Sequence, residues 1–192
     1  MSNVGMRILY GVMNEMEGIW CERVFAPWGD MEEAMRQHDL PLWALESQDP
    51  VKDFDMIAFT IGYEMAYSNI LNMLDLAGIP LRSKDRHDLK NIVFAGGVCA
   101  FNPEPLADFI DFFSLGEGED ITVEIVSLYD RAKAEGWTKD AFLHAVSKIP
   151  GVYVPGFYRH EYHEDGTLAA IVPLENAPEV VTKRIVEDLD KA

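Results

Sequence analysis

Three short stretches of this chain carry residue types suited to close contact with a ligand. They are Thr60 to Met65, Gly96 to Asn102 and Gly116 to Asp120. Two are glycine-rich, and glycine lets backbone approach a ligand without a Cβ in the way. Helix starts that follow such turns offer N–H groups to an anion. Tight packing at the same turns would explain these glycines equally well. The spacing excludes two familiar phosphate loops. No G-x-x-x-x-G-K-[ST] occurs, and after Gly116-x-Gly118 the third glycine of a G-x-G-x-x-G would fall on Ile121. Glu117, Glu119 and Asp120 crowd one turn, where carboxylates can orient a cation or a polar group. Glu119 and Asp120 also suit the positive end of a helix dipole.

Other reactive side chains are scattered. His160 and His163 are three apart, so on a strand they point to opposite faces and read as solvent-facing residues rather than a metal pair. His38, His87 and His144 have no Cys or His at ligand spacing. Cys99 follows a double glycine and reads either as a reactive thiol or as a buried, inert one. Tyr63, Glu64 and Tyr67 suit a pocket lining or a core. No nucleophile elbow is present. The chain therefore holds no complete active site, and no metal site is expected.

These stretches must be positioned by elements, and a parallel α/β rhythm supplies them. Met56 to Ile61, Asn91 to Ala95 and Phe112 to Leu115 are short apolar runs, as expected of strands covered on both faces. Helices are expected after each: one ending at Gly78, one over Glu104 to Ile110, and one capped by Asp120 that runs to about Ala134. Alternation of this kind means βαβ units with right-handed crossovers. Ligands of such sheets bind beyond the carboxyl ends of the strands, where all three stretches fall. Upstream, Asn3 caps a helix through Met16 that Gly18 ends, Ile19 to Phe25 reads as a strand, and Asp30 caps a helix over Met31 to His38. Leu40 to Leu45, with Pro41, reads as an edge segment. Downstream, Thr138 to Ile149 reads as a helix, and Phe157 to Tyr162 and Leu168 to Val172 flank Asp165-Gly166 as a β-hairpin.

Composition bounds the function classes. The chain has 192 residues, 33 acidic against 16 basic, for a net charge of −17. A field of that sign repels phosphate backbones, so nucleic acid is not an expected partner. No run is long and apolar enough for a membrane span, and no signal peptide is visible. Two distant cysteines, Cys21 and Cys99, fit a reducing cytoplasm and cannot hold an iron–sulfur cluster alone.

The runs Phe54 to Thr60, Asn91 to Gly97 and Gly116-Glu117-Gly118-Glu119 resemble cobalamin-binding domains of radical SAM proteins. Ile8 to Val12, Cys21 to Trp28, Asn72 to Leu81, Ala100 to Leu106 and Gly151 to Pro155 are similar to one branch, the N-terminal B12-binding-like region of large B12-binding-domain/radical SAM proteins of uncharacterised substrate. The resemblance implies a flavodoxin-like (Rossmann-like) α/β fold. It implies a cobalamin-binding-like domain over residues 1–136, a helix and hairpin appendage over 137–174, and a linker over 175–192 toward a catalytic domain outside this chain. It implies cobalamin held mainly by backbone at Thr60, Gly62 and Tyr63, at Gly96, Gly97 and Val98, and at Gly116, Glu117 and Gly118. The 4Fe-4S cluster and S-adenosylmethionine belong to the catalytic domain, whose three-cysteine motif this chain lacks. The expected role is accessory: to position a corrin or a substrate beside that domain. The alternative is a cofactor-free interaction or substrate-recognition module of the same fold; an FMN carrier fits less well, because the phosphate loop it needs is missing.

Two departures from the pattern carry expectations of their own. The D-x-H-x-x-G motif of histidine-ligated cobalamin is absent. The strand that family members place before the first helix is also missing, so that Met1 reads as an internal methionine. An altered sheet, or self-association of two chains, is then expected.

Overall fold

The computed structural model describes residues 3–174 and 177–187. One sheet contains β1 (Met56–Thr60), β2 (Ile92–Gly96), β3 (Phe112–Ser114) and β4 (Val152–Tyr153), in that order. The first three are parallel, and β4 runs antiparallel to β3. A separate antiparallel hairpin is formed by β5 (Tyr158–Tyr162) and β6 (Leu168–Pro173). The architecture is thus α/β, with a mostly parallel four-stranded sheet and a hairpin appended to it.

Alternation along the strands splits the core in two. Val93, Ala95 and Phe113 face a cluster with Ile70, Met73 and Leu74 of α3 (Tyr67–Leu76) and Met35 of α2 (Gly29–Gln37). Ile92, Phe94 and Phe112 face the other side. There they meet Ile121, Ile125 and Tyr129 of α4 (Glu119–Glu135) and Phe142 and Val146 of α5 (Lys139–Val146). Phe94 stacks on Phe112 with ring centroids 5.0 Å apart. α1 (Val4–Glu15) packs beside α4.

Several expected elements change in detail. Ile19–Phe25 is irregular and joins neither sheet. Its backbone is instead held mostly by side chains: the Cys21 N–H donates to Asn14 Oδ1 at 3.0 Å and the Arg23 N–H to Glu46 Oε2 at 2.8 Å, while the Arg23 carbonyl accepts from the Leu45 N–H at 2.8 Å. α2 begins at Gly29 because the Glu32 N–H already reaches the Trp28 carbonyl at 2.8 Å, which leaves Asp30 inside the first turn. The segment after β2 makes only 3₁₀ turns, over Val98–Phe101 and Glu104–Leu106. Pro103 and Pro105 there lack the N–H groups an α-helix needs. α4 is preceded by Gly118 without a side-chain cap, so Asp120 complements the dipole from the first turn rather than capping it. Leu40 to Leu45 contributes one isolated bridge, Trp43 to Pro50. β4 has no counterpart in the sequence reading. Asn3 and Thr138 do cap as expected, accepting from Met6 N at 3.1 Å and Ala141 N at 3.2 Å.

Candidate functional site

The loops that leave β1 and β2 are stitched together at the carboxyl edge of the sheet. The Ile61 N–H donates to the Gly96 carbonyl at 2.8 Å, and the Cys99 N–H donates back to the Ile61 carbonyl at 3.1 Å. Gly97 sits at φ +95°, and a Cβ there would lie 2.8 Å from the Ile61 carbonyl oxygen. Only glycine permits both the conformation and the approach. Tyr67 reinforces the join by donating its hydroxyl to the Asn102 carbonyl at 3.3 Å.

What this join presents to solvent is largely apolar, with Glu64 exposed among it. Tyr63 is 58% exposed, Met65 83%, Val98 76% and Phe101 56%. Thr60 and Gly62 are exposed beside them, and Gly96 and Gly97 are half-buried at the base. The structure therefore brings six of the nine expected contact residues, from the first two stretches, to one rim. Cys99 lies beneath it, buried; burial first, and Glu64 second, push its thiol above the ordinary range, which suits an inert core cysteine.

The third stretch is occupied by the chain itself. Residue Arg184 forms a parallel bridge to Gly116, its N–H donating to the Leu115 carbonyl at 2.8 Å. The Glu117 N–H donates to the Arg184 carbonyl at 3.1 Å, and the Glu117 carboxylate accepts from the Val186 N–H. A Cβ on Gly116, at φ +105°, would lie 2.1 Å from the Arg184 carbonyl oxygen. Gly118 is covered in turn by the Leu9 side chain of α1, 3.1 Å from where its Cβ would be. Within the stretch 175–192, expected as a linker, residues 184–186 are thus a strap across this turn; residues 175–176 and 188–192 lie outside the described residues.

Two polar clusters escaped the sequence reading. Asp111, buried at the start of β3, accepts from Arg86 Nη2 at 3.0 Å, Lys139 Nζ at 2.6 Å, the Val93 N–H at 2.7 Å and the Ser83 hydroxyl. Burial pushes the Lys139 ammonium below its ordinary range, and the Asp111 charge opposes that. This network lies at the opposite edge of the sheet from the rim and ties α5 to it. Glu104 joins the hairpin to the main sheet: it accepts from the Tyr153 hydroxyl at 2.6 Å, and His160 Nε2 lies 2.8 Å from its other oxygen, without hydrogen-bond alignment. Burial, then the bond to Glu104, raise the Tyr153 hydroxyl above the ordinary tyrosine range. Partners so distant in sequence, at separations of 49 residues for Glu104 and Tyr153, leave no local signal. Among the described residues, no group of three or more His, Cys, Asp or Glu is arranged to hold a metal, and no helix is long and apolar enough to cross a membrane.

Comparison with known proteins bears on most of the chain. The family described as radical SAM proteins, N-terminal, matches residues 5–155. An uncharacterised protein of Methanocaldococcus jannaschii is 33% identical over 97 residues, a match that covers 48% of this chain and 20% of that relative. No solved structure matches.

Proposed function

Since the chain belongs to the family of radical SAM N-terminal domains, we propose that it is the accessory domain of a radical SAM protein, with the apolar rim of β1 and β2 as its docking face for the catalytic portion. The fold this reading assumes is flavodoxin-like. The observation that carries it is the exposure of Tyr63, Met65, Val98 and Phe101 on two loops that hydrogen bonds already fix. Aromatic residues and methionine are enriched at interface cores, and side chains held in place before docking lose less entropy on binding. The domain would then bind and orient, and the chemistry would belong to the catalytic portion.

Cobalamin at the same edge is the second reading, favoured by the exposed, largely apolar rim beside Gly62, Gly96 and Gly97. The fit is partial. The turn at Gly116, Glu117 and Gly118 does not suit a nucleotide tail while residues 184–186 lie across it, and none of the three turns holds a histidine. No step is assigned to a corrin on that basis.

The test is association of this domain with the catalytic portion supplied in trans, followed by calorimetry. Val98→Asp with Phe101→Asp places two charges on the rim and is expected to weaken binding by at least about a hundredfold, as loss of a central hot spot does. Unchanged affinity overturns the docking reading. Titration of the full-length protein with hydroxocobalamin is read alongside it. Saturable binding that survives dialysis and is weakened by Gly96→Leu supports the corrin reading.

A further inference from the structure

We infer that the turn at Gly116, Glu117 and Gly118 belongs to a seat for an extended peptide, and that residues 184–186 are its built-in occupant. A segment of another polypeptide with the same chemistry, a basic residue followed two positions on by an aliphatic one, exchanges with them. The inference is independent of the reading given to the rim.

Two glycines shape the seat to a backbone. Gly116 at φ +105° and Gly151 at φ +96° hold conformations that favour glycine. A Cβ on Gly116 would strike the Arg184 carbonyl, and one on Gly151 would lie 3.2 Å from the Arg184 nitrogen. Between them the seat offers main-chain groups. The Leu115 carbonyl accepts from the Arg184 N–H at 2.8 Å, and the Glu117 N–H donates to the Arg184 carbonyl at 3.1 Å. Sheet edges take up extended peptides in this way: main-chain bonds hold the peptide, and its alternate side chains are selected.

The side chains of the strap alternate accordingly. Arg184 is half-buried and pairs with Glu124, Ile185 is 58% exposed, and Val186 is 8% exposed. The Val186 N–H is held by the Glu117 carboxylate. Asp120 and Glu124 stand one turn apart on the same side of α4. An acidic surround favours a basic segment and disfavours an acidic one. Lys183 and Arg184 supply that charge within the chain.

The seat belongs to the folded core, whereas the strap does not. The Leu115 N–H donates to the Gly151 carbonyl at 2.7 Å, and the buried Ile121 of α4 comes against Gly151. These parts keep their shape when the strap lifts, and a preformed site costs less to fill. The strap itself has few anchors. Its ion pair with Glu124 is partly exposed on both sides and contributes little. Upstream, the Pro178 carbonyl accepts from the Tyr158 hydroxyl at 2.8 Å and Val181 packs against the core, but Thr182 and Lys183 are exposed. Val181 is therefore a pivot from which residues 184–186 lift, and segments so held open at the low end of local stability. Tethered in the chain, the strap competes at an effective concentration on the order of millimolar, which keeps the seat shut until a competitor outbids it.

The test is fluorescence anisotropy with a labelled, capped peptide of residues 180–187, titrated with the unmodified chain and with the full chain carrying Arg184→Glu and Val186→Asp, which disables the strap. Saturable binding to the disabled chain is expected, at least about tenfold tighter than to the unmodified chain, where the tethered strap competes. A peptide carrying the same two substitutions is expected to bind at least about tenfold more weakly. Hydrogen exchange places the peptide: the Glu117 amide of the disabled chain is expected to lose protection and to regain it when peptide is added. No binding to a disabled chain of unchanged near-ultraviolet circular dichroism, equal binding to both chains, or a Glu117 amide indifferent to peptide overturns the inference. Dimers of the unmodified chain by light scattering, formed by exchange of straps between copies, also overturn it, because the seat would then be shut by a second copy. A second variant does not touch the strap. Glu124→Arg, at an exposed position of α4, is expected to reverse the preference, so that the peptide carrying Arg184→Glu binds this chain at least about tenfold better than the unmodified peptide; an unreversed order contradicts the pairing on which the selection rests.

Discussion

Asp111 holds its carboxylate fully buried between Arg86, Lys139, Ser83 and the Val93 N–H. Removing it by Asp111→Ala leaves two buried cations facing each other, and a cost of about 3–5 kcal/mol in urea unfolding is expected. Lys139→Met leaves Arg86 and Asp111 paired and fills the space with a side chain of similar length, so the loss is expected to be clearly smaller. Cys21 gives a pH-dependent prediction. Burial, then Glu46 and Glu22, raise its thiol from 9.0 to about 11. Alkylation by iodoacetamide is expected to follow an apparent pKa of about 11, and a profile centred near 9.0 contradicts the burial. The sign for stability follows. A folded-state pKa raised from 9.0 to about 11 means the folded chain binds more protons in that window, so this contribution is complete below 9.0 and is lost as pH rises through about 11. None of these environments was legible from the sequence, because each depends on which distant residues are brought together.

Elements carry the two glycine turns, and the turns respond differently to the same methyl group. Gly62→Ala meets nothing within 4 Å, so its effect is expected to stay within about 0.5 kcal/mol. Gly97→Ala combines φ +95° with a Cβ 2.8 Å from the Ile61 carbonyl. It is expected to cost about 1–3 kcal/mol, measured by thermal unfolding. Gly116→Ala would push against the Arg184 backbone rather than the core. Its expected outcome is faster tryptic cleavage after Lys183 and Arg184, with the helical circular dichroism of the folded chain retained; unchanged cleavage would mean that the strap does not rest on this turn. The strands of the parallel core were legible because an apolar run between turn signals is a local property. Ile19–Phe25 was misread for the complementary reason: strand composition makes a strand only where a neighbour offers hydrogen bonds. β4 was missed because two residues, Val152 and Tyr153, carry no periodicity.

The whole molecule is governed by its charge. At −17, self-repulsion opposes the compact state, and added salt screens it within about 8 Å at physiological ionic strength. The urea midpoint is therefore expected to rise between low and moderate sodium chloride concentrations, and a flat response would show that the acidic groups lie too far apart to repel. At the rim a single acidic side chain, Glu64, stands among the exposed Tyr63, Met65, Val98 and Phe101.

Sequence alone determined the α/β class, the three parallel strands, the hairpin at Asp165-Gly166 and the kinship with radical SAM proteins, because runs, caps, turn residues and family motifs are written in consecutive positions. Tertiary structure alone decided which turns stay open. Gly96-Gly97 and Gly116-Glu117-Gly118 look equivalent as letters, yet the first carries an exposed rim and the second lies under Arg184 and Leu9. That difference depends on where a segment almost 70 residues downstream comes to rest, as in the bond from Val186 to Glu117 at a separation of 69. Contacts at such range follow from the packing of the whole chain, and no local pattern encodes them.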